Sequence, residues 1–175
     1  MADDHRQRFE ALYAATLPQV LGYALRRCDN AEDAADVAAE TFAIAWRRLS
    51  AVPDGDEARL WLYGVARKVL ANHRRRAGRR RDLSARLAAE VAEVYEEQPR
   101  DDGELAVVGR AFRALPPADR ELLSLVAWEG LGTGEIATVL GCSRNAVRIR
   151  LHRARRRLSH ALSNASEPTT TARTP

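Results

Sequence analysis

The stretch from Thr133 to Leu158 constrains this chain more than any other. Ile136, Ala137 and Leu140 have the spacing of one apolar helical face; Val147, Leu151, Ala154 and Leu158 then recur at steps of three and four. Between the two lies Gly141, and glycine tolerates the positive φ that a tight inter-helix turn needs. Thr133 is placed to cap the first helix and Ser143 the second, since a hydroxyl oxygen there accepts from an N–H of the first turn. Ala137, Gly141 and Val147 have the relative spacing of a helix-turn-helix: a small residue at the crossing, a turn glycine and an aliphatic anchor. Residues 144–160 hold seven arginines and no acidic residue, a strong electrostatic footprint for a polyanion. With the cap Ser143, the outer residues Arg144, Asn145, Arg148, His152 and Arg155 form the expected base-reading stripe, because arginine and asparagine match guanine and adenine edges bidentately. Arg150, Arg153, Arg156 and Arg157 fall on other faces and suit phosphates.

The rest of the chain is helical in character too. Ala, Leu, Arg and Glu dominate while Phe, Tyr, Ile and Thr are sparse, which predicts an all-α fold. A first small helical domain is expected over 6–78. Phe9, Leu12, Tyr13 and Leu17 begin a stripe that Val20, Leu21 and Leu25 continue after Pro18. Asn30 reads as an N-cap, followed by a helix with Ala34, Val37, Ala38, Thr41, Phe42, Ala45, Trp46 and Leu49 on its core side and Asp33, Asp36 and Glu40 opposite. Pro53, Asp54 and Gly55 mark a loop. A third helix starts near Glu57, buries Leu62, Val65, Ala66, Val69 and His73, and ends in Arg74, Arg75, Arg76 and Gly78. Residues 79–104 lose the periodicity and turn acidic, as a linker with helical character around Leu83 to Tyr95. A second helical domain is expected over 105–162, and a Ser-, Thr- and Pro-rich disordered tail over 163–175.

Several function classes are unsupported. No apolar run approaches the roughly 18 residues of a membrane helix, and Met1 to Glu10 is too polar for a signal peptide. Cys28 and Cys142 share no metal spacing with each other or with the four histidines, and read as reduced, small core residues of a cytoplasmic protein. There is no phosphate-binding glycine loop, HExxH or nucleophile motif, so neither cofactor, metal nor enzymatic activity is expected.

A lone helix-turn-helix leaves several regulators open; the upstream segments narrow them. Leu115-Pro116-Pro117-Ala118-Asp119-Arg120-Glu121-Leu122-Leu123, Glu129-Gly130-Leu131, Glu135-Ile136-Ala137 and Arg150-Leu151-His152-Arg153-Ala154-Arg155 resemble region 4 of sigma-70-family factors, and most closely those of the extracytoplasmic-function (ECF) group. Asn30 to Val37, Glu40-Thr41-Phe42 and Ala45-Trp46 resemble regions 2.1–2.2, and Trp61-Leu62-Tyr63 with Val65-Ala66-Arg67 regions 2.3–2.4. The resemblance implies a two-domain specificity factor for RNA polymerase, without region 1.1 or a folded region 3. It implies that the helix bearing Asp33, Asp36, Val37, Glu40 and Phe42 docks on the clamp helices of the β′ subunit, that region 4 meets the β flap and reads a −35 element, and that an anti-sigma factor holds the chain in check. The −10 element would fall to the loop Ser50 to Ala58, which traps an unstacked base, and to the helix after it. There Arg67, Lys68, Asn72, Arg74, Arg75 and Arg76 are the candidates, with Trp61 and Tyr63 either beside them or in the core.

Two positions depart from the family pattern: Ala39 stands where glutamine is usual, before Glu40, and Lys68 where asparagine is frequent. The acidic linker, with Glu90, Glu93, Glu96, Glu97, Asp101, Asp102 and Glu104, would thread the polymerase cleft as a mimic of nucleic acid. The competing reading is a free-standing helix-turn-helix regulator that binds duplex operators, usually as a dimer over two half-sites.

Overall fold

The computed structural model describes residues 2–88 and 104–166, and side chains within 3–76 and 106–164. The chain divides into two compact units, most of each on one side of the acidic stretch. The described residues are helical apart from short turns, in an all-α fold.

The first unit contains α1 (Ala2–Leu25), α2 (Ala31–Arg47) and α3 (Glu57–Ala88), each packed on the other two. α1 starts earlier than the sequence suggested and passes through Pro18, which removes one N–H from the helix without ending it. Asn30 caps α2 as expected: its side chain accepts from the Asp33 N–H at 2.8 Å. Val20, Ala38, Phe42, Ala45, Leu49, Val52, Ala58 and Leu62 form the core, with Phe9, Leu12, Leu17, Leu21 and Trp61 packed against it. Thr41 is fully buried and satisfies its hydroxyl by donating to the Val37 carbonyl. Tyr23 and Tyr63 stack at 5.1 Å between ring centres, and the Arg27 guanidinium lies 3.6 Å above Tyr23.

Some expected core positions lie at the surface. Tyr13, Leu25 and Trp46 are all exposed. Trp46 meets Phe9 and His5 edge-on at the rim, where a large ring covers apolar surface without entering it. Cys28 and Cys142 are half-buried rather than core thiols. α3 does not stop near Gly78 but runs on to Ala88, because one glycine costs a helix only about 1 kcal/mol and its neighbours are good helix formers.

The second unit contains α4 (Glu104–Arg113), α5 (Pro117–Ala127), most of α6 (Thr133–Leu140) and α7 (Arg144–Ser166). Both α4 and α5 pack on α7. Ala111, Leu115, Leu122, Leu125, Leu131, Ile136, Val147, Leu151 and Ala154 are buried. α7 extends to Ser166, four residues into the segment expected to be a disordered tail; the remainder of that segment, 167–175, lies outside the described residues. So does most of the acidic linker: Glu90, Glu93, Glu96, Glu97, Asp101 and Asp102 are not described, and Glu104 opens α4. Among the described residues no helix is long and apolar enough to cross a membrane, and no three His, Cys, Asp or Glu side chains gather as metal ligands.

Candidate nucleic-acid interface

The helix-turn-helix is assembled from local chemistry. α6 opens one residue earlier than a cap at Thr133 would place it: Thr133 is already helical, and the Gly132 N–H donates to the Glu135 carboxylate at 2.7 Å, so Gly132 holds the cap position. Gly141 has φ +64°, the left-handed conformation its place between α6 and α7 requires. Ser143 caps α7, its hydroxyl oxygen accepting from the Ala146 N–H at 3.2 Å. Val147 and Ala154 are fully buried and Leu151 nearly so, with Leu158 half-buried below them. One face of α7 is thereby locked inward.

That lock fixes what faces out. Ser143, Arg144, Asn145, Arg148, His152 and Arg155 are all exposed, and 144, 148, 152 and 155 follow one another along a single stripe. Arg144 is not extended from it: a Cβ on Gly134 would stand 2.7 Å from its guanidinium, so the side chain lies across the first turn of α6. Arg150, Arg153 and Arg156 are exposed on the remaining faces. Arg157 differs from them in having a partner within the fold. It donates to Asp119 on α5, whose side chain is 9% exposed, and so ties α7 to α5. An acid buried that deeply needs a cation beside it, and Arg157 sits on the flank of α7 that borders the buried stripe.

In the first unit the second basic group lies on α3. Arg67, Lys68, Asn72, Arg74, Arg75 and Arg76 are exposed. Arg75 donates to the Asn72 side chain at 2.7 Å and to the Ala71 carbonyl, which holds both polar groups on one stripe with Lys68. Arg74 instead donates to the Arg27 carbonyl just past α1. Trp61 lies half-buried on the Lys68 side, whereas Tyr63 is a core residue stacked on Tyr23 and offers no ring to a base.

The five residues expected to meet the clamp part company. Asp36 and Glu40 stand exposed on α2. Val37 and Phe42 are buried in the core and act through the helix's packing, not at its surface. Asp33 is turned inward: it accepts from the Asn30 amide at 3.0 Å and faces His73 Nε2 at 3.5 Å. Beside the two exposed acids the outer face of α2 carries Ala35, Ala39 and Ala43, all exposed. This flat alanine strip escaped the sequence reading, although the alternation of alanines with Asp36 and Glu40 was its visible sign. The Ala39 departure therefore lies on the surface and not in the core.

Comparison with known proteins follows the same division. Residues 12–80 match the family model of sigma-70 region 2, and residues 105–158 that of sigma-70 region 4. The RNA polymerase sigma-H factor of Pseudomonas aeruginosa is 34% identical over 170 residues, covering 90% of this chain and 87% of that one. The ECF RNA polymerase sigma factor SigL of Mycobacterium tuberculosis is 31% identical over 153 residues, with 85% of each chain covered. Among solved structures, the sigma factor RpoE of Bartonella quintana, in complex with the anti-sigma factor NepR, superposes with a TM-score of 0.64 at 22% identity, over 89% of this chain and 96% of that one.

Proposed function

The chain belongs to the sigma-70 family, as an ECF-type factor that directs promoter-specific transcription initiation with RNA polymerase, and from that premise we propose how its residues divide the work. α7 reads the −35 duplex. Ser143, Asn145, Arg148, His152 and Arg155 approach base edges in the major groove, and Arg144 joins them after swinging off α6. Arg150, Arg153 and Arg156 hold phosphates, which sets affinity and register without reading sequence. The observation that carries this reading is the pairing, on one helix, of a buried apolar stripe with an exposed stripe of arginines and an asparagine.

The first unit takes the −10 element. Lys68, Asn72, Arg75 and Arg76 line one basic stripe and Arg67 and Arg74 another, suited to the backbone and bases of a strand that has left the duplex. Asp36 and Glu40, along one side of the alanine strip, meet the β′ clamp helices: small side chains let a partner helix come close, and the two acids select a basic one. The β flap takes the second unit, whose exposed Val108 and Trp128 supply apolar surface. An anti-sigma factor is a further partner, as it is for the Bartonella protein of shared fold. The chain itself performs no chemistry and works in the cytoplasm, where the polymerase forms the bonds.

Substitution within α7 tests the division. Arg148→Ala is expected to lose about 1–3 kcal/mol of discrimination at one −35 base pair, whereas Arg156→Ala weakens binding equally across promoters and lowers the salt dependence. Equal loss of sequence preference from both would refute it.

A further inference from the structure

One side chain joins two distant parts of the first unit. Arg8, on α1, donates from Nη1 to the Leu49 carbonyl at 3.1 Å, and from Nη2 to the Val52 carbonyl at 2.9 Å and to Asp54 Oδ1 at 2.8 Å. These acceptors lie 41 to 46 positions away and bracket the turn between α2 and α3. The turn is also anchored from below: Leu49 and Val52 are buried, with a 3-10 turn at Leu49–Ala51 between them. Its tip, Ser50, Ala51, Asp54, Gly55 and Asp56, is exposed, and Gly55 has φ +64°. The sequence reading gave Arg8 no role.

We infer that Arg8 is a positioning residue for promoter recognition: it holds the 49–54 turn rigid, so that the turn discriminates among −10 bases, and does so without touching DNA. The inference rests on the proposed assignment of the −10 element to the first unit, and within it on the loop Ser50 to Ala58 that the family resemblance implies. Its physical basis is preorganisation. A loop that samples several conformations presents its base-contacting form only part of the time, and the selected base must make up the difference. The geometry suits the task. A planar guanidinium presents several donors in fixed directions, so it can span two carbonyls and a carboxylate at once, which a lysine ammonium cannot do with equal definition. Asp54 is almost fully exposed, so its ion pair alone contributes little; the two backbone carbonyls make the tether. Arg6, two residues earlier, serves as a contrast: among the described residues it pairs with Glu10 one turn along the same helix, and both are exposed.

The test uses the full chain assembled with core RNA polymerase and two promoter libraries, one randomised over the −10 element and one over the −35. Amide hydrogen exchange across residues 48–56 is read on the chain alone. Arg8→Ala should speed exchange in that segment and flatten −10 preference about three- to tenfold, leaving −35 preference intact. Arg8→Lys should recover part of both effects, and Arg6→Ala should change neither. If Arg8→Ala loosens the whole unit, exchange in α2 and α3 will reveal it, and Arg8→Lys then carries the comparison. Unchanged exchange in the turn, or faster exchange with −10 preference unaltered, overturns the inference. A wild-type holoenzyme that shows no −10 preference overturns instead the assignment of the −10 element to this unit, and the inference with it.

Discussion

Arginine is the commonest charged residue in the basic blocks, yet its copies do different work according to what lies beside them. On α7, Arg148 and Arg155 face solvent while Arg157, two residues beyond Arg155, is spent on Asp119. Arg157→Ala should therefore destabilise the second unit by about 1–3 kcal/mol, because it leaves a buried carboxylate without its donor. DNA sequence preference should stay intact. Urea unfolding measures the first and a −35 library the second; a stable variant with altered preference would contradict the assignment. Cys28 obeys the same rule of surroundings. Burial raises its thiol above the ordinary cysteine value, Asp33 adds to the rise, Arg74 opposes it and Asp29 adds again. Little of it is thiolate at neutral pH, so alkylation should be slow, and Arg74→Ala should slow it further by removing the one cation that lowers it. Faster alkylation in that variant would count against this balance.

At the scale of elements, what could be read from the sequence was whatever repeats within a turn or two of helix. The stripe Val147, Leu151, Ala154, the turn at Gly141 and the caps at Asn30 and Ser143 are all local, and the structure places them as expected. Pairings across the fold had no such signal. Nothing near Arg157 points to Asp119, 38 positions away, and nothing near Arg8 points to the turn it holds. Periodicity also overstated burial at the rim. Trp46 and Tyr13 lie on the apolar side of their helices, but a bundle of three helices is too thin to enclose every ring. α2 shows both behaviours. Its cap contributes by a mechanism worth about 1 kcal/mol, so Asn30→Ala should lower the stability of the first unit by that amount in chemical unfolding. Asp36 and Glu40 on its outer face are exposed, so Asp36→Lys with Glu40→Lys should leave stability within about 0.5 kcal/mol yet weaken association with core polymerase. A variant that unfolds, or that binds core normally, would show that this face has another role.

The whole molecule consists of two small units, each with its own basic face, joined through an acidic segment. On the proposed reading each face alone offers a modest contact with DNA, most of it electrostatic and sensitive to salt. Held together by a third body they act at high effective concentration, and their preferences multiply. This is why a sigma-70-family chain is expected to bind a promoter tightly only with the polymerase that spaces its units, whereas a free-standing regulator would bind duplex sites unaided. The decisive measurement adds the purified chain to core RNA polymerase and scores both DNA binding and transcripts on promoters carrying both elements, either one, or neither. Tight, promoter-dependent initiation only when core and both elements are present is the predicted result; tight duplex binding by the chain alone, without association with core, would contradict it.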